Sequence, residues 1–200
     1  LSTVIINYGM GNLASVSKTL KKIGVEHIIS EDPVVVKAAE KLVLPGVGSF
    51  KAAMENLNKS GLSEAIHESV SAGAKMIGIC LGMQLLASTG FEPERCSGLG
   101  LIPGEVVPLD CGLPVPHMGW NNIRIVNPQY FNKLSYQDFY FVHSYHFITE
   151  KPEHVAATVE YGTEITAAVQ NGSVFGCQFH PEKSQLAGLQ VLRNFFAMHA

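Results

Sequence analysis

Apolar residues in the first eighty positions come in two arrangements. Some form short unbroken runs, and others recur every three or four residues. "TVIINY" (3–8) is an unbroken run and reads as a strand. After the turn "GMGN", Leu13, Val16, Leu20 and Ile23 fall at helical spacing with Lys18, Lys21 and Lys22 on the other side, the pattern of an amphipathic helix lying on a sheet. "EHIIS" reads as a second strand, "PVVVKAAE" as a short helix and "KLVLPG" as a third strand ending at Pro45-Gly46. Two helices follow, divided at Ser60-Gly61. "AKMIGI" (74–79) is the fourth strand, and its near lack of polar side chains predicts burial on both faces. Strands alternating with helices predict an α/β fold with a doubly wound parallel sheet.

The second half has a different rhythm. "GEVVPL", "NNIRIV", "FYFVHSYHFIT", "VAATVEY", "ITAAVQ" and "VFGCQF" read as strands separated by Gly, Pro and Asn turns, so antiparallel strands are added to the parallel sheet. "LAGLQVLRNFFAMHA" reads as a closing helix with Leu186, Leu189, Leu192 and Phe196 on one face. No repeat, low-complexity tract or linker divides the chain, and one domain over 1–200 is expected.

Composition narrows the classes. With 200 residues, 46% hydrophobic and 16% charged, the chain can bury a sizeable core and is not a disordered sequence. A formal charge of −3 without a long Lys/Arg run gives no footprint for nucleic acid or an acidic membrane, and no apolar run approaches a membrane span. Cys80, Cys96, Cys111 and Cys177 contain no C-x-x-C pair, and no basic-plus-apolar signal precedes "LSTVIINYG". Reduced thiols in a cytoplasmic protein are expected.

The candidate chemistry lies in "GICLGMQ" (78–84), where the fourth strand gives way to a helix. A cysteine at that junction, with a glycine two residues to either side, is the nucleophile elbow with sulfur in place of oxygen. The helix start favours a thiolate at Cys80, and the Leu81 N–H points where an oxyanion would form. A free cysteine is more often a buried structural residue, and that reading stays open beside the elbow. A thiolate nucleophile needs a base. In "CQFHPEKS", His180 precedes Pro181 and is followed two residues on by Glu182, whose carboxylate can fix the imidazole tautomer. The competing reading is a strand-end histidine and a helix-capping glutamate. In "VLPGVGSF", Gly46 and Gly48 allow a loop whose peptides could supply a second oxyanion donor, or form an ordinary strand-ending turn. No Gly-Lys-Ser/Thr follows them, so a phosphate cradle is not expected. His143-x-x-His146 would point to opposite faces of one strand, and no metal site is assigned.

Together, "PGVGSF", "GICLGMQLL" and "HPEKS" resemble the class I, triad-type glutamine amidotransferases, whose fold is flavodoxin-like, with three layers and a largely parallel central sheet. "NYGMGN", "PHMGWN" (116–121), "FVHSY" (141–145) and the lysine after His-Pro-Glu are similar to the glutaminase subunits of imidazole glycerol phosphate synthase. The resemblance implies that Cys80 attacks the side-chain amide of glutamine, that His180 transfers protons and that Glu182 orients it. The Leu81 N–H and a peptide within Gly46-Val47-Gly48 would hold the oxyanion, with the Val47–Gly48 peptide as the candidate switch. Gln84, Glu92, Ser144 and Tyr145 match positions that hold the amino-acid end of the substrate. No cofactor is implied. The implied partner is a (β/α)8 cyclase subunit that takes up ammonia and makes imidazole glycerol phosphate and AICAR in histidine biosynthesis. Asn12, His117, Met118, Trp120, Tyr140 and Lys183 match interface positions, although a core indole is the plainer reading of Trp120.

Three other readings share the scaffold. The elbow also occurs in amidotransferases of other pathways. A stand-alone γ-glutamyl hydrolase or cysteine peptidase would act without a partner. A non-catalytic binding module would leave His180 and Glu182 without a task.

Overall fold

A computed structural model describes residues 2–197. Strands β1 (Thr3–Ile6), β2 (Ile28–Ser30), β3 (Lys41–Leu44) and β4 (Lys75–Ile79) alternate with helices α1 (Leu13–Lys22), α2 (Pro33–Lys37), α3 (Phe50–Lys59) and α4 (Leu62–Ser71). The single turn α5 (Leu81–Gln84) follows β4 directly. Then come β5 (Thr89–Phe91), β6 (Arg95–Ser97), β7 (Gly104–Pro108), β8 (His117–Ile125), β9 (Asp138–His143), β10 (Tyr145–Thr149), β11 (Val155–Tyr161), β12 (Thr163–Asn171), β13 (Val174–Cys177) and α6 (Gln185–Ala197).

Nine strands form one sheet in the order β2-β1-β3-β4-β13-β12-β11-β8-β9. Its first five strands pair in parallel and the remainder antiparallel, which matches the α/β expectation. Side-chain alternation divides the core between the two faces of the sheet. Ile5, Val43, Ile77 and Ile79 face α1 and α6, packing with Val16, Leu20, Val191 and Phe195. Val4, Ile6, Leu42, Leu44 and Met76 face the other way, onto Val36 of α2, Met54 and Leu57 of α3 and Ile66 of α4. Because helices cover both faces, these strands run without polar residues past their first positions, Thr3, Lys41 and Lys75.

The structure departs from the sequence reading at four places. Strand β8 begins at His117, four residues before the expected "NNIRIV". "FYFVHSYHFIT" is not one strand. It breaks at Ser144, with β9 in the large sheet and β10 in a second sheet of order β10-β7-β5-β6. His143 and His146 therefore lie in different sheets, not on opposite faces of one strand. Strands β5 and β6 went unread because three residues each, joined across "EPE", are too short to show alternation. In α6, Leu189, Leu192 and Phe196 are buried as expected, but Leu186 is 59% exposed. The buried face centres instead on Ala187, Gly188, Val191 and Phe195. The small residues let the helix approach closely, since a Cβ on Gly188 would sit 2.0 Å from the Pro181 carbonyl oxygen. Met198, His199 and Ala200 of the expected helix lie outside the described residues.

Candidate active site

The three sequence signals meet because β3, β4 and β13 are adjacent and parallel. All three end at the same edge of the sheet, so the "PGVGS" loop, Cys80 and the "QFHPE" segment leave their strands side by side. Ligands in open α/β sheets bind at this carboxyl edge.

Cys80 has φ 54° and ψ −111°, a conformation that L side chains rarely adopt. The two flanking glycines explain how the chain sustains it. A Cβ on Gly78 would lie 2.5 Å from the Gly82 carbonyl oxygen, and one on Gly82 would lie 1.8 Å from the Leu44 carbonyl oxygen. The elbow is therefore folded against its own strand and against β3 more tightly than any side chain permits. The backbone is anchored by Cys80 N–H donating to the Cys177 carbonyl at 2.8 Å. The N–H of Leu81, first in α5, has no carbonyl within its own helix to bond. Cys80 is 7% exposed, a nearly buried thiol as the structural reading foresaw, yet its position is that of the elbow.

His180 donates from Nδ1 to Glu182 Oε1 at 2.8 Å, with both side chains nearly buried. The contact does not arise from an extended segment. Strand β13 ends at Cys177, and Pro181–Lys183 form a 3-10 turn that brings Glu182 under the ring. His180 Nε2 and Glu182 Oε2 are buried without hydrogen-bond partners. Burial pushes the His180 imidazole down, but the neighbouring Cys80 and the hydrogen-bonded Glu182 outweigh it and raise it to about 9. The Cys80 contribution acts at close range without a closed hydrogen bond at Nε2. The loop is held on both sides: Ser184 Oγ donates to the His180 carbonyl at 2.6 Å and accepts from Tyr140 N–H at 3.0 Å.

A cavity of about 310 Å³ opens in front of the sulfur. Val47, Gly48, Cys80, Leu81, Gln84, Glu92, Ser144, Tyr145 and His180 line it, so nearly every residue proposed to touch substrate meets there. Gly46 is not at the wall. It wedges between Tyr8 and the elbow, where an added Cβ would meet the Tyr8 hydroxyl at 2.5 Å and Leu81 Cβ at 3.0 Å. The Tyr8 hydroxyl donates to the Pro45 carbonyl at 2.8 Å, and burial foremost holds its phenol far above the usual range. Gly48 has φ +114°, open to glycine and strained for other residues. Glu92 accepts from Phe50 N–H at 3.1 Å. Burial raises its carboxyl above the ordinary range, and that bond offsets part of the rise.

Gln178 escaped the sequence reading. Fully buried, it donates from Nε2 to Cys80 Sγ at 3.7 Å and accepts from Gln84 Nε2 at 2.9 Å on Oε1. Its signal was its place two residues before His180, hidden by the ordinary look of a glutamine in a strand. Pro116, Val142 and His143 also line the cavity.

The six expected interface residues divide. On the β8–β9 ribbon, Met118 pairs with Val142 and Trp120 with Tyr140 on one face. Met118 is 61% and Trp120 50% exposed, which settles the indole against a core role. Trp120 meets Tyr140 edge-on at 6.0 Å, and Lys183 Nζ lies 5.8 Å from the Tyr140 ring centroid. Asn12 is exposed and caps α1 by accepting from Ser15 N–H. His117 is a correction: it is 2% exposed, on the opposite face of the ribbon, because strand alternation turns it inward between Phe141 and Tyr161.

Comparison with known proteins follows the same lines. The family profile "Glutamine amidotransferase class-I" matches residues 4–198. The imidazole glycerol phosphate synthase subunit HisH of Moorella thermoacetica is 49% identical, the match covering 96% of this chain and 92% of that protein. The subunit of the same name from Streptococcus gordonii is 48% identical, with 96% and 94% covered. A crystal structure titled as a glutamine amidotransferase shares the fold with a TM-score of 0.76 at 19% identity, covering 97% of each chain. No helix among the described residues is long and apolar enough to cross a membrane. By its profile match, its identity with these relatives and its fold, the chain belongs to the class-I glutamine amidotransferases, in the HisH branch of imidazole glycerol phosphate synthase subunits.

Proposed function

We propose that this chain hydrolyses glutamine at Cys80 and passes the ammonia to a cyclase subunit. The observation that carries the reading is the constellation itself: a sulfur on a strained elbow, an imidazole oriented by a buried carboxylate, and one cavity lined by both. With its proton held on His180, Cys80 Sγ adds to the carboxamide carbon of glutamine, and the negative charge on the former carbonyl oxygen is met by the Leu81 N–H and by a peptide of the Gly46-Val47-Gly48 loop. His180, held protonated by Glu182 and the sulfur, gives its proton to the departing nitrogen. Ammonia leaves and a γ-glutamyl thioester remains. The same imidazole then takes a proton from water, which cleaves the thioester and returns the thiol. Gln84, Glu92, Ser144 and Tyr145 hold the amino-acid end, the half-buried carboxylate of Glu92 facing the ammonium group. Gln178 orders Gln84 and offers a donor to the sulfur that strengthens as charge develops there.

The partner is a (β/α)8 cyclase, and the pathway that of histidine biosynthesis. Supporting this is an exposed apolar face beside the site. Met118, Trp120, Tyr136 and Leu186 are each half exposed or more, and a groove of about 350 Å³ runs between the last three. The exposure of Leu186, misplaced by the helical stripe, has a reason if this surface is covered in the assembly. Tyr140 and Lys183 join the surface to the triad loop, since Tyr140 N–H and carbonyl bond Ser184 and His180. A closed interface also keeps ammonia from bulk water, where it would become ammonium. The Val47–Gly48 peptide is the candidate switch, glycine making its reorientation sterically cheap.

The test is to mix the chain with a cyclase subunit and its ribonucleotide ligand and to follow glutamate release. Glutamate release should rise at least tenfold on mixing, and Trp120→Ala, which removes a central aromatic anchor, should raise the concentration of cyclase needed by about tenfold or more. Glutamate release that ignores the cyclase, or a Trp120→Ala chain that responds like wild type, would contradict the partner assignment.

A further inference from the structure

His117 and His143 are buried titratable groups that the proposed chemistry does not use. They lie cross-strand on β8 and β9, 2% and 6% exposed, and join a continuous series of hydrogen bonds. Asn121 Nδ2 lies 2.9 Å from the Glu160 carbonyl oxygen and 3.3 Å from His117 Nε2. His117 Nδ1 lies 2.9 Å from His143 Nε2, and His143 Nδ1 lies 2.8 Å from the Tyr145 carbonyl oxygen.

The two ends decide the direction of every bond. Carbonyl oxygens only accept. At one end Asn121 must present N–H groups, and its Oδ1 is already engaged by Asn122 N–H at 2.9 Å, so the amide orientation is fixed. His117 Nε2 therefore accepts, which places its proton on Nδ1, directed at His143. At the other end His143 must carry its proton on Nδ1 to reach the Tyr145 carbonyl, which leaves Nε2 as the acceptor His117 requires. Both rings are neutral, both are Nδ1–H tautomers, and every donor meets an acceptor. A second proton on either ring would set two donors against each other at one joint.

The series ends where the chain leaves one sheet for the other. Ser144 separates β9 from β10 and belongs to neither strand, so only the ends of the two ladders, His143 with His117 and Tyr145 with Pro108, flank it. The Tyr145 carbonyl takes hydrogen bonds from both His143 and Gln84, and the Ser144 carbonyl takes one from Leu109 N–H. Ser144 and Tyr145 line the cavity in front of Cys80.

We propose that His117 and His143 are positioning residues: the one-directional chain from Asn121 through both imidazoles to the Tyr145 carbonyl fixes the Ser144–Tyr145 wall of the substrate cavity. This rests on reading that cavity as the glutamine site. It gives His117 a task on the inner face of β8 in place of direct contact with the partner, while Met118 and Trp120 occupy the outer face. The surroundings keep the pair neutral. Burial foremost pushes both rings down, His143 to about 4, and the titratable groups that face it, His117, His146 and His180, all oppose its protonation. The rings packed on His117, Phe141 and Tyr161, bring no carboxylate.

The test uses the full chain and the diazo-ketone analogue of glutamine as a site-directed inactivator. His117→Phe keeps the aromatic stack and removes the donor, and His117→Asn restores an N–H near the Nδ1 position. The expected result is a rise of about tenfold in the analogue concentration for half-maximal inactivation in His117→Phe, with the maximal inactivation rate within threefold of wild type and recovery in His117→Asn. An unchanged half-maximal concentration in His117→Phe, or a loss confined to the maximal rate, overturns the proposal. Should His117→Phe fail to fold, nitrogen-15 NMR of the wild-type histidines decides: two neutral Nδ1–H rings at pH 6 support the chain, and an Nε2–H or charged ring in either position overturns it. If the wild-type chain itself resists the analogue, the reading of the cavity fails. The hydrogen-bond chain is then still judged by NMR.

Discussion

Replacing Cys80 with alanine is expected to lower glutamine hydrolysis by on the order of 10⁴-fold or more, because no neighbouring group can substitute for the nucleophile. Cys177, next in line, is fully buried in β13 and donates to the Gly78 carbonyl, and burial pushes its thiol well above the ordinary range. Alanine loses only the sulfur, so the elbow keeps its backbone and the docking face is untouched. The variant should bind the cyclase normally, and the complex should still form product from added ammonium salts. Measuring glutamate release and ammonium-dependent cyclisation on the same preparation separates the two. Hydrolysis within tenfold of wild type would remove Cys80 from the mechanism. Loss of both activities would point to a folding defect.

Gly82→Ala is the second large effect, and it acts on the architecture. The new Cβ would sit 1.8 Å from the Leu44 carbonyl oxygen and 2.8 Å from the Leu44 carbonyl carbon, backbone atoms of a central strand that cannot swing aside. Relief requires α5 to move off β3, which displaces Leu81, Cys80 and the cavity wall together. The expected loss is about 3 kcal/mol or more of stability, a fall in Tm of roughly 6–12 °C. A shift of the sulfur by about 1 Å should in addition cost on the order of 100-fold in hydrolysis. Gly172→Ala is the control. Its φ of +56° makes the substitution strained, but nothing lies within 4 Å of the added Cβ, so about 1–2 kcal/mol and full activity are expected. Equal losses in the two variants, by thermal unfolding and glutamate release, would show that close approach at Gly82 is not what shapes the elbow.

What could be read from the sequence follows a physical division. Strands covered on both faces announce themselves by unbroken apolar runs, so the parallel half was legible to within a residue or two, and with it the carboxyl edge where Cys80 stands. The elbow was legible because glycines at 78 and 82 serve one purpose, close approach. Contacts between elements were not legible. The break at Ser144 leaves no mark in the continuous apolar pattern of "FYFVHSYHFIT", although it decides which face His143 presents. Gln178 and Ser184 act through buried hydrogen bonds to Gln84, Cys80, Tyr140 and His180, and nothing in their local sequence distinguishes them. His117 shows how alternation corrects a resemblance: Met118 and Trp120, two residues apart on the same strand, share the exposed face, so His117, one residue before Met118, must lie on the other. Glu182 was found for an insufficient reason, since a 3-10 turn and not an extended chain brings it to His180.

The central claim is that Cys80 is the group that attacks the glutamine side chain. Peptide mapping by mass spectrometry after treatment with the diazo-ketone analogue of glutamine tests it most directly. The account predicts one adduct per chain, on the peptide containing Cys80, suppressed by excess glutamine, with Cys96, Cys111 and Cys177 unmodified. Comparable labelling of all four cysteines, or an adduct that glutamine does not suppress, would contradict it.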